Sequence, residues 1–110
     1  MKLLIAGSRS ITEFDLSGHI PPEATVIISG GAKGIDTLAE KYADAHGLEK
    51  IIIKPDYAKY KRGAPLKRDE EMVELADEVL IIWDGVSKGT KYTADYAKKK
   101  NKPVTVIEVK

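Results

Sequence analysis

Cysteine is absent from this 110-residue chain, which excludes both a disulfide framework and a thiolate metal site. Histidine is scarce as well. His19 and His46 stand far apart in sequence, and no metal is expected from such a set of donors. Aromatic residues are only 6% of the chain, which leaves little surface for stacking successive bases of a nucleic acid strand. Charge of one sign is lacking too: 18 basic residues against 17 acidic ones leave a net charge of +1, so no whole-molecule field draws the chain to nucleic acid. The densest basic run, Lys98, Lys99, Lys100 and Lys102, is read as a solvated helix end that complements the helix dipole. Long hydrophobic runs are also missing. The apolar start Leu3-Leu4-Ile5-Ala6 stops at Gly7, too short for a signal segment or a membrane span, and a cytoplasmic domain without membrane contact is the expectation.

What is present has the balance of a globular chain, with 43% hydrophobic and 32% charged residues. Residues 1–110 suit a single domain. Apolar stretches of strand length fall at Leu3 to Ala6, Val26 to Ile28, Ile51 to Ile53, Val79 to Trp83 and Val104 to Val109. They run continuously rather than alternating, as parallel strands covered on both faces do. Between them, Ile35, Leu38, Ala39, Tyr42 and Ala43 repeat at helical spacing up to a stop at Gly47. A second helix is predicted from about Pro65 with Leu66, Met72, Val73 and Ala76 inward. A third spans about Thr90 to Lys100, with Thr93, Tyr96 and Ala97 buried. In the stretch Ile11 to Ile20, broken by Gly18 and followed by Pro21-Pro22, only a short helix has room.

Alternating strands and helices imply right-handed βαβ units and a three-layer α/β/α, Rossmann-like open parallel sheet of about five strands. The preferred order is 3-2-1-4-5, with 2-1-3-4-5 as the alternative. In such sheets ligands sit beyond the carboxyl ends of the strands, so the loops there carry the functional signal. Gly7-Ser8-Arg9-Ser10 offers a flexible backbone, two hydroxyls and a guanidinium suited to phosphate or carboxylate; the alternative is an ordinary turn with a surface arginine. Ser29-Gly30-Gly31-Ala32-Lys33-Gly34-Ile35-Asp36 runs into the best-defined helix, where glycines admit a ligand and free N–H groups favour an anion. Its plainer reading is a tight turn in which Asp36 only charges the helix start. Asp84-Gly85-Val86-Ser87-Lys88-Gly89-Thr90 repeats the arrangement. Arg68 stands where it can reach a phosphate, while Tyr57 and Tyr60 suit either base stacking or packing over the sheet edge.

These four segments, with Pro65-Leu66-Lys67-Arg68-Asp69-Glu70-Glu71-Met72 among them, resemble the SLOG superfamily, and especially its small stand-alone YspA-like branch. The resemblance implies a Rossmann-like domain that binds nucleotides or their derivatives on the Gly30-Gly31 and Gly89-Thr90 loops. Relatives comprise DNA-processing proteins of the DprA/Smf type, Lonely-guy phosphoribohydrolases and ligand sensors. The enzyme branch carries Pro-Gly-Gly-x-Gly-Thr-x-x-Glu; its Gly-Thr falls on Gly89-Thr90, and its Glu position is Thr93 here. Thr93 can neither activate water nor stabilise an oxocarbenium-like centre, and Asp36 or Asp84 would have to substitute. Where YspA-like proteins often show Arg-Asn, this chain has Arg68-Asp69, which changes the hydrogen bonding and repels a nearby phosphate.

The leading expectation is therefore a binding or sensing module for a nucleoside phosphate, an ADP-ribose derivative or NAD. It would use Gly7, Ser8, Arg9, Ser29, Gly30, Gly31, Ala32, Gly34, Asp36, Arg68, Asp84, Gly85, Ser87, Gly89 and Thr90. A nucleoside-phosphate hydrolase and a single-strand DNA binder are the rivals, and composition disfavours the latter. A homo-oligomer is compatible with a short first crossover that leaves an apolar face uncovered.

Overall fold

The computed structural model describes residues 1–109. Five strands, β1 (Lys2–Gly7), β2 (Val26–Ser29), β3 (Glu49–Ile52), β4 (Glu78–Trp83) and β5 (Val104–Glu108), form one sheet in the order β3-β2-β1-β4-β5. Every pairing is parallel. The central strands β1 and β4 are the ones whose apolar runs the sequence leaves unbroken; each shows four consecutive buried residues, because both faces of the sheet are covered there. The edge strands β3 and β5 are mostly exposed or half-buried, as their Glu, Lys and Thr content requires.

Alternate residues of the same strands feed two separate cores. Leu3, Ile5, Ile27, Leu80 and Ile82 face α1 (Ile35–Ala45), whose Ile35, Ala39 and Ala43 are fully buried as the spacing predicts. Leu4, Ala6, Ile28, Val79 and Ile81 face α3 (Ala64–Leu75) and α4 (Lys88–Lys99) through Met72, Val73, Ala94 and Ala97. A single-turn helix, α2 (Tyr57–Tyr60), capped by the Asp56 side chain on the Lys59 N–H, and a 3₁₀ turn over Lys61–Gly63 precede α3. Tyr57 is exposed and Tyr60 half-buried. Two expectations are corrected. Leu66 does not point inward but is 40% exposed, since it sits in the first turn of α3, beyond the end of the sheet. The stretch Ile11 to Ile20 forms turns with no helix, because Asp15 binds the Ser17 N–H and hydroxyl and fixes a local turn instead. That irregular segment still adds Ile11, Phe14, Leu16 and Ile20 to the core on the α1 side of the sheet. Of the basic run, Lys98 and Lys99 occupy the last turn of α4, whereas Lys102 reaches the carbonyls ending α3, with Nζ 2.8 Å from Ala76 O.

The loop after β1 crosses directly over the start of α1. Gly34 has φ 72°, and a Cβ there would lie 2.5 Å from the Ser8 carbonyl oxygen, so this crossing needs glycine on two counts. The Ser8 carbonyl in turn accepts from the N–H groups of Ile11 and Ile35. We expect Gly34→Ala to destabilise the fold by about 2–5 kcal/mol, from the left-handed backbone penalty plus overpacking against backbone atoms. Urea denaturation measures it, and a loss under about 0.5 kcal/mol, the usual surface value, would contradict the crossing.

Candidate functional site

At the carboxyl ends of β1 and β4, where the strand order reverses, the surface opens into a cleft of about 480 Å³. Ala6 and Gly7 form its floor. Pro65, Leu66, Arg68 and Asp69 of α3 make one wall; Ser87, Gly89, Thr90 and Thr93 at the start of α4 make the other; Arg9 and Ser10 complete it. Below the cleft the Tyr92 hydroxyl donates to the Glu70 carboxylate and ties the two helical walls together.

The residues expected from sequence divide into three sets. Gly7, Arg9, Arg68, Ser87, Gly89 and Thr90 line the cleft. Ser8, Asp84 and Gly85 build the loops behind it. Ser8 Oγ accepts from the Asp84 N–H at 3.0 Å, bridging the β1 and β4 loops while itself buried. The Asp84 carboxylate accepts from the Val86 and Ser87 N–H groups and from the Ser87 and Ser10 hydroxyls, all within 2.9 Å. These donors, the two backbone N–H groups foremost, hold the Asp84 carboxyl well below the usual carboxylate range. It is a fixed anion that shapes the loop, with Gly85 at φ 86° completing the turn. The third set, Ser29, Gly30, Gly31, Ala32, Gly34 and Asp36, lies outside the cleft lining. Several N–H groups of this β2 loop already have acceptors within the protein: Gly31 on Ser29 Oγ, Ala32 on Asp36 Oδ2 at 3.2 Å, and Ile35 on the Ser8 carbonyl. Asp36 thus has the part its plainer sequence reading gave it, charging the start of α1 and closing the tight turn before it.

The two helix starts therefore differ. The start of α4 carries no side-chain cap, and the N–H groups of Lys88, Gly89 and Thr90 lack intrahelical partners by geometry. Gly89 and Thr90 present this end to the cleft, with Arg9 on the facing loop. Backbone donors and a guanidinium around one opening suit a phosphate or carboxylate.

Arg68 has a further task. Although it lines the cleft it is only 8% exposed. Its Nη1 donates to the Gly30 carbonyl at 2.7 Å and to the Ile53 carbonyl at 3.4 Å, and its Nε to Asp69 Oδ1 at 2.8 Å. A Cβ on Gly30 would come within 2.6 Å of that Nη1, so the glycine makes room for the guanidinium as much as for any ligand. Asp36 and Asp69 flank it, and burial raises both carboxyls above the usual range despite the lowering influence of Arg68. Asp69 and Thr93 are cleft residues outside the expected set. Asp69 was legible as a departure at a ligand-adjacent position and Thr93 as an enzyme-branch position without its Glu; the cleft brings them side by side. Ser10, Pro65 and Leu66 lay within the singled-out segments without being assigned to a ligand, and Ala6 carried no sequence signal for the cleft. Among the described residues no cluster of three or more His, Cys, Asp or Glu is placed to hold a metal ion, and no helix is long and apolar enough to cross a membrane.

Removing the guanidinium leaves two buried carboxylates uncompensated, so Arg68→Ala is expected to lose about 3–5 kcal/mol at pH 7. Carboxyls whose folded pKa is raised support the fold fully below the usual carboxylate value and lose that support as pH rises through the raised one. Without Arg68 both shift further upward. The deficit relative to wild type should therefore shrink as pH falls from 7 toward 4. Paired denaturation curves across that range test it, and a pH-independent deficit would show that Arg68 acts through packing alone.

Residues 1–60 match the family model described as "YspA, cpYpsA-related SLOG family". The Gene 61 protein of Mycobacterium phage D29 is 29% identical over 116 aligned residues, covering 94% of this chain and 93% of that protein. No solved structure matches the chain.

Proposed function

Since the chain belongs to the YspA, cpYpsA-related SLOG family, we propose that it is a binding or sensing module for a nucleotide-like ligand held in the cleft between the β1 loop, α3 and α4. The carrying observation is the uncapped start of α4 facing Arg9 across that cleft. A phosphate there receives the N–H groups of Gly89 and Thr90 and the Arg9 guanidinium, with the Ser87 region shaping the approach. The β2 loop, Ser29 to Asp36, is the second anion position of this reading. It ranks behind α4 because the N–H groups of Gly31, Ala32 and Ile35 already have protein acceptors. Nucleoside phosphates, ADP-ribose derivatives and NAD all supply the required anion and a hydroxylated sugar.

A binding role also fits the residues the sequence offered for the enzyme branch's Glu, while Asp69, the carboxylate that does line the cleft, is engaged by Arg68 Nε. Position 93 is threonine, Asp84 is held by four donors in its own loop neighbourhood, and Asp36 lies outside the cleft lining. Neither aspartate is placed to activate a water at a sugar carbon in the cleft.

Titration of adenosine 5′-monophosphate followed by amide NMR should move the Gly89 and Thr90 signals most, and Arg9→Ala should weaken binding by about 1–3 kcal/mol with the fold intact. Shifts confined to Gly31–Gly34 would relocate the site to the β2 loop, and unchanged affinity would make Arg9 a surface residue. The same nucleotide incubated with the protein should stay uncleaved on chromatography; release of free adenine would replace the binding role with a hydrolase.

A further inference from the structure

The cleft is chemically two-ended. Around the start of α4 it offers donors: the backbone N–H groups of Gly89 and Thr90, with Arg9 opposite. On the α3 wall it offers an acceptor, the Asp69 carboxylate, which is 9% exposed and still part of the lining. Its Oδ1 is engaged by Arg68 Nε at 2.8 Å. That bond fixes the side chain and compensates its charge, while the Nη1 of the same guanidinium is anchored on the Gly30 carbonyl. Arg68 thus acts as a brace for Asp69, with two of its donor nitrogens already committed. Beside the carboxylate, Pro65 and the 40% exposed Leu66 supply apolar surface on the same wall.

We propose that Asp69 determines the orientation and class of ligand: it accepts a hydrogen bond from a sugar hydroxyl, so the cleft selects a phosphorylated sugar or nucleoside lying with its anionic end on α4 and its hydroxylated end on α3. The inference rests on the cleft being a ligand site and adds the basis of its selectivity. An ionised carboxylate is acceptor-only and repels phosphate, so a bare polyphosphate spanning the cleft meets like charge at α3. A ligand whose second end carries hydroxyl groups meets a buried, braced acceptor whose hydrogen bond is charge-assisted. The apolar surface of Pro65 and Leu66 lies against the carbon face of a sugar ring. The groups around Asp69 are Arg68 on its own helix, Arg9 on the β1 loop, Asp36 behind Arg68 and the neutral Thr93 on α4. Arg68 balances Asp69, which leaves Arg9 as the cation that receives an anion whose charge stays at the far end.

Calorimetry with three probes tests this: ribose 5-phosphate, n-pentyl phosphate, which keeps the phosphomonoester and drops every hydroxyl, and inorganic pyrophosphate. Wild type should prefer ribose 5-phosphate over n-pentyl phosphate by about tenfold or more, the scale of one hydrogen bond to a charged group. Asp69→Asn should cut that preference severalfold while binding pyrophosphate at least as tightly as wild type, because the repulsion is gone. Absence of the preference in wild type, with both monoesters bound, overturns the role of Asp69 and leaves the anion site standing; this arm needs no variant and holds even if Asp69→Asn fails to fold. A preference equal in wild type and Asp69→Asn overturns it as well. No binding of any probe to wild type overturns both this inference and the ligand site beneath it.

Discussion

A guanidinium taken out of water has to find acceptors in the protein, and Arg68 finds them on three separate pieces of chain: the Gly30 carbonyl after β2, the Ile53 carbonyl after β3, and the neighbouring Asp69 on α3. This buried node determines how the upper end of the sheet is assembled. It joins α3, on one side of the sheet, to the glycine loop that leads into α1 on the other. It requires a residue without Cβ at position 30, and it holds an aspartate in an environment that otherwise disfavours its charge. The glycine loop and the α3 wall are parts of one electrostatic unit.

A second consequence concerns the two helix starts, which look alike in sequence. At α1 the chain closes the end with its own groups: the Ser8 carbonyl lies over Ile35, and Asp36 bonds back to Ala32. At α4 the corresponding aspartate, Asp84, sits before the helix and organises the preceding turn through Val86 and Ser87, which leaves the first N–H groups of the helix uncapped by any side chain. A carboxylate one turn earlier or later thus decides whether a helix dipole is used internally or presented to the cleft. The position of α4 is held further by the Trp83 indole N–H on the Ser87 carbonyl, 2.9 Å away.

The first crossover shows how little regular structure a covered sheet face needs. The stretch from Ser8 to Thr25 contains no helix, yet Ile11, Phe14, Leu16 and Ile20 reach the same core as α1. Hydrophobic burial is non-directional and rewards apolar area removed from water whatever the backbone conformation. Four apolar side chains on turns can therefore do the covering that a helix does elsewhere in the fold.

The unbroken apolar runs at Leu3 to Ala6 and Val79 to Trp83, and the helical spacing of Ile35, Ala39 and Ala43, determined the class of fold and its core, because strand and helix periods are local properties that survive into the folded chain. The glycine loops likewise marked the end of the sheet at which the cleft opens. Position in three dimensions decided the rest. Whether Arg68 faced solvent or the Gly30 carbonyl, and how the Ser8 and Asp84 loops met, depended on contacts between residues 15 to 76 positions apart in the chain. Such contacts are set by packing and by the need to satisfy buried polar groups, neither of which leaves a periodic trace in the sequence. Asp69 is the clearest case: in sequence it is a departure from Arg-Asn whose surroundings are unknown, and only the folded chain braces it against Arg68 at the wall of the cleft.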